Sequence, residues 1–256
     1  MIEVAGVSKV FAAKAGTVEA LRGIDLMVGD GEFVALVGRS GCGKSTLLRI
    51  LAGLTSPSTG TVTIRGEPVD RPRRDVGLMF QVPALLPWRT VMDNVLLPVE
   101  IIHRNTRAYR SRALELLDTA GLSGFEHRLP RELSGGMQQR VSLCRSLIHD
   151  PGVLLMDEPF AALDALTRED LSVELAQICA EPGKTVVFVT HSIDEAVLLA
   201  DRIAVLTPRP GRLNRVIDVP VPRPRVPGRS DHSATLGEAR AVLHDLLFDR
   251  AGEPAS

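Results

Sequence analysis

Five short apolar runs recur along the chain, and each has the length of a buried strand. They are EFVALVG (32–38), DVGLMF (75–80), GVLLMD (152–157), KTVVFVT (184–190) and RIAVLT (202–207). Segments with helical spacing, such as the KSTLLRILAGL that follows the first run, separate them. Continuous apolar strands that alternate with helices are typical of a parallel sheet. The pattern therefore predicts an α/β fold with a parallel central sheet.

Two regions depart from this pattern. The segments MIEVAGVSKVF (1–11), GIDLMV (23–28) and TVTIRG (61–66) alternate apolar with polar residues and carry turn glycines. They predict an N-terminal antiparallel β-subdomain. Residues 91–150 lack strand signals and have mostly helical spacing. We therefore expect a helical subdomain, about residues 86–150, inserted between two strands of the sheet.

The amino-acid composition of the sequence changes after residue 207. PRPGR and VPVPRPRVPGR are rich in proline and arginine, and proline fixes φ and removes a backbone donor. They predict a loop or an extended tail. The segment TLGEARAVLHDLLFDR (235–250) has apolar residues at helical spacing and predicts a terminal amphipathic helix. We therefore divide the chain into a main domain (1–212) and a C-terminal extension (213–256).

Composition and charge argue against nucleic-acid-binding, disulfide-rich and membrane-spanning classes of protein. The chain has 256 residues and is 45% hydrophobic, which supports a real core. Its net charge of −1 provides no basic excess, so we expect no nucleic-acid partner. Its three cysteines form no CxxC pair and no metal-ligand spacing, which suits a reducing compartment. No apolar run approaches the roughly 18 residues of a membrane span, and a signal-peptide pattern is missing.

The segment GRSGCGKST fits the phosphate-loop pattern, with a predicted strand before it and a predicted helix after it. Its glycines let backbone N–H groups turn toward phosphates, and the helix adds its positive end. Lys44 would place a cation on the β and γ phosphates, and the Ser45 hydroxyl would ligate Mg²⁺. A chance glycine-rich turn would lack this context, so we predict nucleotide binding. The loop comprises Gly38, Arg39, Ser40, Gly41, Cys42, Gly43, Lys44, Ser45 and Thr46.

Cys42 lies inside this loop, next to Gly43. A helix N-terminus lowers the pKa of a nearby thiol, and a thiolate is the reactive form of cysteine. We therefore expect Cys42 to be a reactive liability whose modification blocks the approach of phosphate, and not a catalyst.

Two carboxylates end the run GVLLMD. Asp157 occupies the position from which an aspartate holds the Mg²⁺ shell, and Glu158 would act on the attacking water as general base. Taken alone, the pair is explained equally well as a solvated acidic turn after a strand. The phosphate loop upstream, in the correct chain order, favours the catalytic interpretation.

Several motifs together resemble one known family. LSGGMQQR (133–140) is similar to the signature motif of the nucleotide-binding subunits of ATP-binding cassette (ABC) transporters, and AALD (161–164) is similar to their D-loop. Gln81 after GLMF, His191 in VTHS and Phe11 match the Q-loop glutamine, the switch histidine and the aromatic residue that stacks on adenine. All occur in the order of the family.

This resemblance covers nearly the whole chain, through about residue 212. It implies an ABC ATPase, a P-loop NTPase fold that binds ATP and Mg²⁺. It also implies that Gln81 and His191 join Glu158 in catalysis, that Gln81 is a further ligand of Mg²⁺, and that Phe11 contacts the adenine.

The resemblance further explains why one chain has two turns suited to phosphate. In this family two chains pack head to tail, and the signature turn of one chain closes over the ATP held by the other. Ser134, Gly135 and Gly136 would supply a hydroxyl, backbone N–H groups and a helix N-terminus. Asp164 of the D-loop would lie near the same nucleotide. The implied partner is therefore a second copy of the chain, joined by ATP.

Two positions depart from the family pattern. Met137 replaces the usual glutamine of the signature, and Ala161 replaces the serine that often begins the D-loop. The first change removes an amide contact to the nucleotide of the partner, and the second removes a hydroxyl near the dimer seam. Neither removes a phosphate or metal contact, so they bear on the turnover rate more than on the function.

The phrases LLPWRTVMDNV (85–95) and LTPRPGR (206–212) resemble the nitrate, sulfonate and taurine importer group. That group implies uptake of a small anion such as an aliphatic sulfonate, taurine or nitrate; some relatives move thiamine precursors instead. It implies transmembrane permease subunits as partners and, indirectly, a periplasmic or extracellular solute-binding protein. The implied location is peripheral, on the cytoplasmic face of the inner membrane.

The segment after Gln81 is where such subunits receive the coupling helix of the permease. Leu85, Leu86, Pro87 and Trp88 are the candidate lining of that groove. For Trp88, ordinary core packing is an equally good interpretation. Arg89 would pair with an acidic residue of the permease or be solvated, and the solvated state is the default.

Other functions remain to be weighed against an importer. ABC ATPases that act on DNA or ribosomes usually carry a long coiled-coil insertion or two cassettes in one chain, and this sequence has neither. An ABC exporter is the third alternative, and the phrases LLPWRTV and PRPGR favour the importer over it. The transported solute cannot be read from this chain, because an ATPase subunit does not contact it.

Overall fold

The chain forms two β-sheets and a group of helices. The structure, a computed structural model, describes residues 1–13, 16–103, 105–161, 163–179, 183–225 and 233–248. Within these residues the strands are β1 (Ile2–Ala13), β2 (Gly16–Val28), β3 (Phe33–Val37), β4 (Thr59–Ile64), β5 (Glu67–Pro68), β6 (Val76–Met79), β7 (Val153–Asp157), β8 (Thr185–Val189), β9 (Arg202–Leu206) and β10 (Leu213–Asp218). The helices are α1 (Lys44–Leu51), α2 (Val91–His103), α3 (Arg110–Thr119), α4 (Gly135–Leu147), α5 (Ala165–Ile178), α6 (Ile193–Leu199) and α7 (Ser233–Phe248).

The central sheet has the strand order β10-β9-β3-β8-β7-β6. Strands β9, β3, β8, β7 and β6 are parallel to one another. Every residue of β3, β7 and β8 is buried, as expected for strands covered on both faces. The parallel sheet predicted from the five apolar runs is confirmed.

Strand β10 corrects the prediction for the segment after residue 207. A loop or extended tail was expected there, but Leu213–Asp218 pairs antiparallel with β9 at the edge of the sheet. Leu213 and Val216 pack on one face of the sheet and Ile217 on the other. An antiparallel edge strand needs fewer apolar residues than a central one, so its pattern was too weak to stand out beside the prolines.

The N-terminal sheet has the order β2-β1-β4-β5 and is antiparallel throughout, as predicted. Helix α1 lies between this sheet and the central sheet. Its residues Leu47, Leu48, Ile50 and Leu51 are buried in one cluster with side chains of both sheets. The helix that follows the phosphate loop is therefore held from two sides.

The region from α2 to α4 contains the predicted helical insertion. It includes two short 3₁₀ turns, Arg107–Tyr109 and Pro130–Glu132, and its apolar side chains form a cluster of their own. Helix α4 belongs to two clusters. Val141 and Cys144 pack in the cluster of the helical region. Leu143 and Leu147 pack in the large cluster that contains residues of the central sheet. It is thus the element that joins the helical region to the sheet.

The predicted terminal helix, 235–250, is present as α7, and its last two residues lie outside the described part of the chain. It packs on α6, with Ala239 and Leu243 buried. Residues 226–232 and 249–256 of the C-terminal extension are not among the described residues. None of the described helices is long and apolar enough to span a bilayer.

Candidate functional site

The phosphate loop connects the end of β3 to the start of α1. Gly43, the N-cap of α1, has a φ of 102°, and a Cβ atom added there would lie 2.8 Å from the carbonyl oxygen of Ala20. This position therefore requires glycine. Lys44 is 5% exposed, and its ammonium donates to the carbonyl oxygen of Gly38 at 2.8 Å. Arg39, Ser40 and Gly41 are exposed, and Thr46 is partly buried in the first turn of α1.

Ser45 and Asp157 meet where α1 faces the end of β7. The Ser45 hydroxyl donates to Oδ1 of Asp157 at 2.8 Å. Burial raises the pKa of the Asp157 carboxyl above its ordinary value, and the hydrogen bond from Ser45 opposes that rise. The two predicted metal ligands thus form one pair of oxygen donors.

Glu158 brings together side chains from three other parts of the chain. Its Oε2 lies 3.2 Å from Nδ1 of His191 and accepts a hydrogen bond from Nε2 of Gln81 at 3.4 Å. Its Oε1 lies 4.0 Å from the ammonium of Lys44. Glu158 has a φ of 45°, which is uncommon for a residue other than glycine and typical of functional sites. The sequence predicted all four residues, and the structure places them together.

The local support of His191 escaped the sequence-based prediction. The hydroxyl of Thr190 donates to the carboxylate of Glu195, which is buried, and accepts from the backbone N–H of Ser192. Ser192 caps α6 by accepting from the N–H of Glu195. The available signal was the S-x-x-E spacing of Ser192 and Glu195, which marks the start of a helix.

The signature turn lies beside the D-loop. Ser134 is the N-cap of α4, and its hydroxyl accepts from the N–H of Met137 at 3.2 Å. A Cβ atom added at Gly136 would lie 2.9 Å from the methyl carbon of Thr167, whereas one added at Gly135 meets nothing. Asp164 caps α5 by accepting from the N–H of Thr167 at 3.0 Å. Ala162 of AALD lies outside the described residues.

The signature turn and the phosphate loop are separate within this chain. Among the described residues, no hydrogen bond joins residues 133–137 to residues 38–46. Phe11 is also apart from them, on β1. Its ring is 40% exposed, and the ammonium of Lys9 lies 5.0 Å from the ring centroid.

The expectation for Cys42 is wrong. The thiol is buried, at 1% exposure, and burial raises the pKa of Cys42 above its ordinary value. The neighbouring Lys44 lowers it, but by less than burial raises it. A Cβ atom added at Gly38 would lie 2.7 Å from the sulfur, and the side chain packs in the apolar cluster that surrounds α1. Cys42 therefore belongs to the core of the loop.

The structure decides one open alternative in the segment after Gln81. Trp88 is 73% exposed, so core packing is excluded. Val82 is also strongly exposed, and Leu85 and Leu86 are partly buried. Arg89 pairs with Glu100 of α2, and is therefore neither free nor simply solvated.

The side chains near Ser45 and Asp157 offer oxygen ligands for Mg²⁺. Within the described residues there is no group of three or more His, Cys, Asp or Glu side chains that could hold a metal ion. The site offers one carboxylate and one hydroxyl, Asp157 and Ser45, with the amide of Gln81 near Glu158. Mg²⁺ in nucleotide sites takes one or two protein oxygens and completes its shell with phosphate oxygens and water. The residues present fit that pattern.

Residues 21–161 match the family profile described as ABC transporter, which is more than half of the chain. The chain belongs to the ABC transporter family. The chain is therefore an ABC-type ATPase, and the fold predicted for that class is confirmed.

Relatives and a solved structure agree with this assignment. The chain is 49% identical over 232 residues to the aliphatic sulfonates import ATP-binding protein SsuB of Pseudomonas entomophila, over 91% of this chain and 82% of that protein. It is 47% identical over 207 residues to the taurine import ATP-binding protein TauB of Burkholderia thailandensis, over 81% of this chain and 80% of that protein. A dimeric post-hydrolysis structure of the ATP-binding cassette MJ0796, bound to ADP and Pi, aligns with a TM-score of 0.77 and 35% identity, over 85% of this chain and 98% of that chain.

Proposed function

We propose that this chain is the ATP-hydrolysing subunit of an ABC importer for a small anion such as an aliphatic sulfonate or taurine. The names of its relatives support the import direction and the kind of solute. The observation that carries the proposal of hydrolysis is the convergence of Gln81, His191 and Lys44 on the carboxylate of Glu158.

In this proposal each side chain acts on one part of the nucleotide. Lys44 binds the β and γ phosphates with its buried ammonium, and Phe11 stacks on the adenine. Glu158 accepts the proton of the attacking water as general base. His191 and Gln81, both within hydrogen-bonding distance of Glu158, orient that carboxylate and the water.

Ser45, Asp157 and Gln81 would hold Mg²⁺ together with phosphate oxygens. When bound there, the ion would neutralise charge that develops on the transferring phosphoryl group. Asp157 must be ionised to bind the ion. Burial disfavours the charged carboxylate and raises the pKa of Asp157, and a bound cation would favour the charged form.

Ser134, Gly135, Gly136 and Asp164 would act on the ATP of a second copy of the chain. Their separation from the phosphate loop of their own chain supports this, as does the dimeric structure of the related cassette. ATP would then hold two chains together, and its hydrolysis would release them.

The exposed side chains after Gln81 would receive the permease. Trp88 and Val82 expose apolar surface to solvent, which is typical of an interaction site. A permease partner would place the protein on the cytoplasmic face of the membrane, as a peripheral subunit, and would link it to a solute-binding protein. We also propose that residues 1–212, with the helical subdomain at about 86–150, form the ATPase domain, and that β10 (Leu213–Asp218) joins the extension 213–256 to the sheet of that domain.

Growth of a deletion strain tests the direction and the class of solute. We expect loss of growth when one small anion is the sole source of its element, for example a sulfonate as the sulfur source. The wild-type gene should restore growth, and a Lys44→Ala gene, expressed to the same level, should not. Normal growth on every such source, combined with lost resistance to exported drugs, would instead identify an exporter.

A further inference from the structure

A buried glutamine joins the signature helix to the turn that carries Glu158. Gln139 lies on α4, five residues after Ser134, and is 2% exposed. Its side-chain Nε2 donates to the carbonyl oxygen of Pro159 at 2.6 Å. Pro159 follows Glu158 directly. One side chain of α4 therefore contacts the backbone next to the general base.

Gln139 occupies a position that packing alone would give to an apolar residue. Leu143 and Leu147, one and two turns further along α4, lie in the large hydrophobic cluster that contains residues of the central sheet. The amide oxygen Oε1 of Gln139 is buried and has no hydrogen-bond partner. An unsatisfied buried polar atom costs about 1–3 kcal/mol, so a glutamine here needs a reason other than stability.

Three hydrogen bonds hold the backbone on either side of Glu158 and Pro159. The N–H of Glu158 donates to the carbonyl oxygen of Val189 on β8, and its carbonyl oxygen accepts from the N–H of Ala161. Pro159 has no N–H to donate, and its carbonyl oxygen accepts from Gln139. The left-handed φ of Glu158 costs energy and persists only where its surroundings hold it. The bond from Gln139 is one of the contacts that hold it.

We infer that Gln139 is a positioning residue through which the signature helix sets the place of Glu158 in its own chain. The inference rests on the proposed role of Glu158 as general base. Helix α4 begins at the turn that would contact the partner's ATP and reaches Pro159 within two turns. Closure of the dimer would thus be transmitted to the catalytic carboxylate of the same chain through a single hydrogen bond.

Gln139→Met tests this inference, because methionine keeps the length of the side chain and removes the donor. We expect kcat for ATP hydrolysis to fall about ten-fold or more, since a small misplacement of a catalytic group is costly. The KM for ATP should change by less than about three-fold, because the phosphate-loop contacts are intact. Gln139→Leu, a second apolar variant, should give the same split between kcat and KM.

A buried serine of the same helix is a matched control. Ser146 is 3% exposed, and its hydroxyl donates to the carbonyl oxygen of Leu143 within α4. Ser146→Ala removes a buried donor of α4 that does not bond to the turn of Glu158, so it should leave kcat near the wild-type value. Equal values of kcat for Ser146→Ala and Gln139→Met, when thermal unfolding shows that both proteins are folded, would overturn the inference.

A second readout separates positioning of Glu158 from damage to the signature turn. In a Glu158→Gln background, ATP should still drive dimerisation of the Gln139→Met protein, measured by gel filtration, because the signature residues are unchanged. Loss of dimerisation would overturn the inference, since the defect would then lie in the turn itself. If Glu158→Gln alone hydrolysed ATP normally, the proposed general base would be wrong, whatever Gln139 did.

Discussion

At the scale of single residues, Glu158 is the centre of the site. Gln81, His191 and Lys44 all approach its carboxylate. Replacing Glu158 with glutamine keeps the shape of the side chain and removes the base. We expect kcat to fall by about 10²–10⁴-fold, the usual contribution of a general base, while ATP still binds. Phosphate release and equilibrium binding of a fluorescent ATP analogue measure the two effects, and a kcat within a few-fold of wild type would exclude Glu158 as the base.

The cysteines make a second prediction at this scale. Burial raises the pKa of Cys42, and it raises the pKa of Cys144 to about 12. Cys42, Cys144 and Cys179 are all buried, and the thiolate is the reactive form. We expect maleimide at neutral pH to leave all three unmodified in the native protein and to label all three in denaturant, as read by mass spectrometry. Rapid native labelling of Cys42 with loss of ATPase activity would contradict this result.

The residues of the site differ in how far the sequence could predict them. Lys44 and Ser45 belong to a local pattern in which one loop supplies every contact, so the spacing alone predicts them. Gln139 contacts a group that only the fold brings near, and no spacing connects it to Pro159. Cys42 was misjudged because its position at a helix start was visible in the sequence, whereas its burial was not.

At the scale of elements, the C-terminal extension is tied to the domain by a buried arginine. Arg225 is 5% exposed. Its guanidinium donates to the carbonyl oxygens of Val197, Leu198 and Ala200 at the end of α6, and to those of Val219 and Val221 in its own segment. Burial lowers the pKa of Arg225 to about 10, so it stays charged at neutral pH. A positive charge at a helix C-terminus is favourable.

Arg225→Met should therefore lower the stability of the protein and leave the residues around Glu158 unchanged. The carbonyls at the end of α6 would lose their donor, and we expect the free energy of unfolding to fall by about 2–4 kcal/mol. Arg215 is exposed on β10, so Arg215→Met should change it by less than about 0.5 kcal/mol. Urea unfolding of the three proteins measures the difference. Equal stability of the two variants would show that the arginine does not fasten the extension.

Sequence patterns predict buried strands better than edge strands. Strands β3, β7 and β8 were predicted because both of their faces are buried, and their apolar runs are continuous. Strand β10 was missed because its residues are only partly buried or exposed. Its flanking prolines also favoured a loop. Backbone pairing at an edge depends on the neighbouring strand, which a local pattern does not contain.

At the scale of the whole molecule, we propose that the two loops serve different nucleotides. In the part of the chain that the structure describes, the phosphate loop and the signature turn are not hydrogen-bonded to each other, and a related cassette forms dimers. We therefore expect defects in the two loops to complement each other across a dimer. A heterodimer of a Lys44→Ala chain and a Ser134→Arg chain has one site with both lesions and one site with neither.

Mixing these two inactive proteins, with subunit exchange shown by a fluorescence assay, should restore part of the hydrolysis. Each homodimer carries a lesion in both sites, so each alone should stay inactive. If both loops served the nucleotide of their own chain, every site in the mixture would be damaged and no activity would return. A dimer in which hydrolysis requires both sites to be intact would also show no restored activity. The contact between the phosphate loop and the signature turn must therefore be measured directly.

The most direct measurement is a crosslink between the two loops. A Glu158→Gln chain that carries Ser134→Cys is mixed with a Glu158→Gln chain that carries Ser40→Cys, both with Cys42→Ala, and treated with a short bismaleimide. We expect a product of twice the chain mass that forms with ATP and not with ADP. If a protein that carries both new cysteines were crosslinked only within single chains, with ATP or without it, the two loops would serve the same chain's nucleotide.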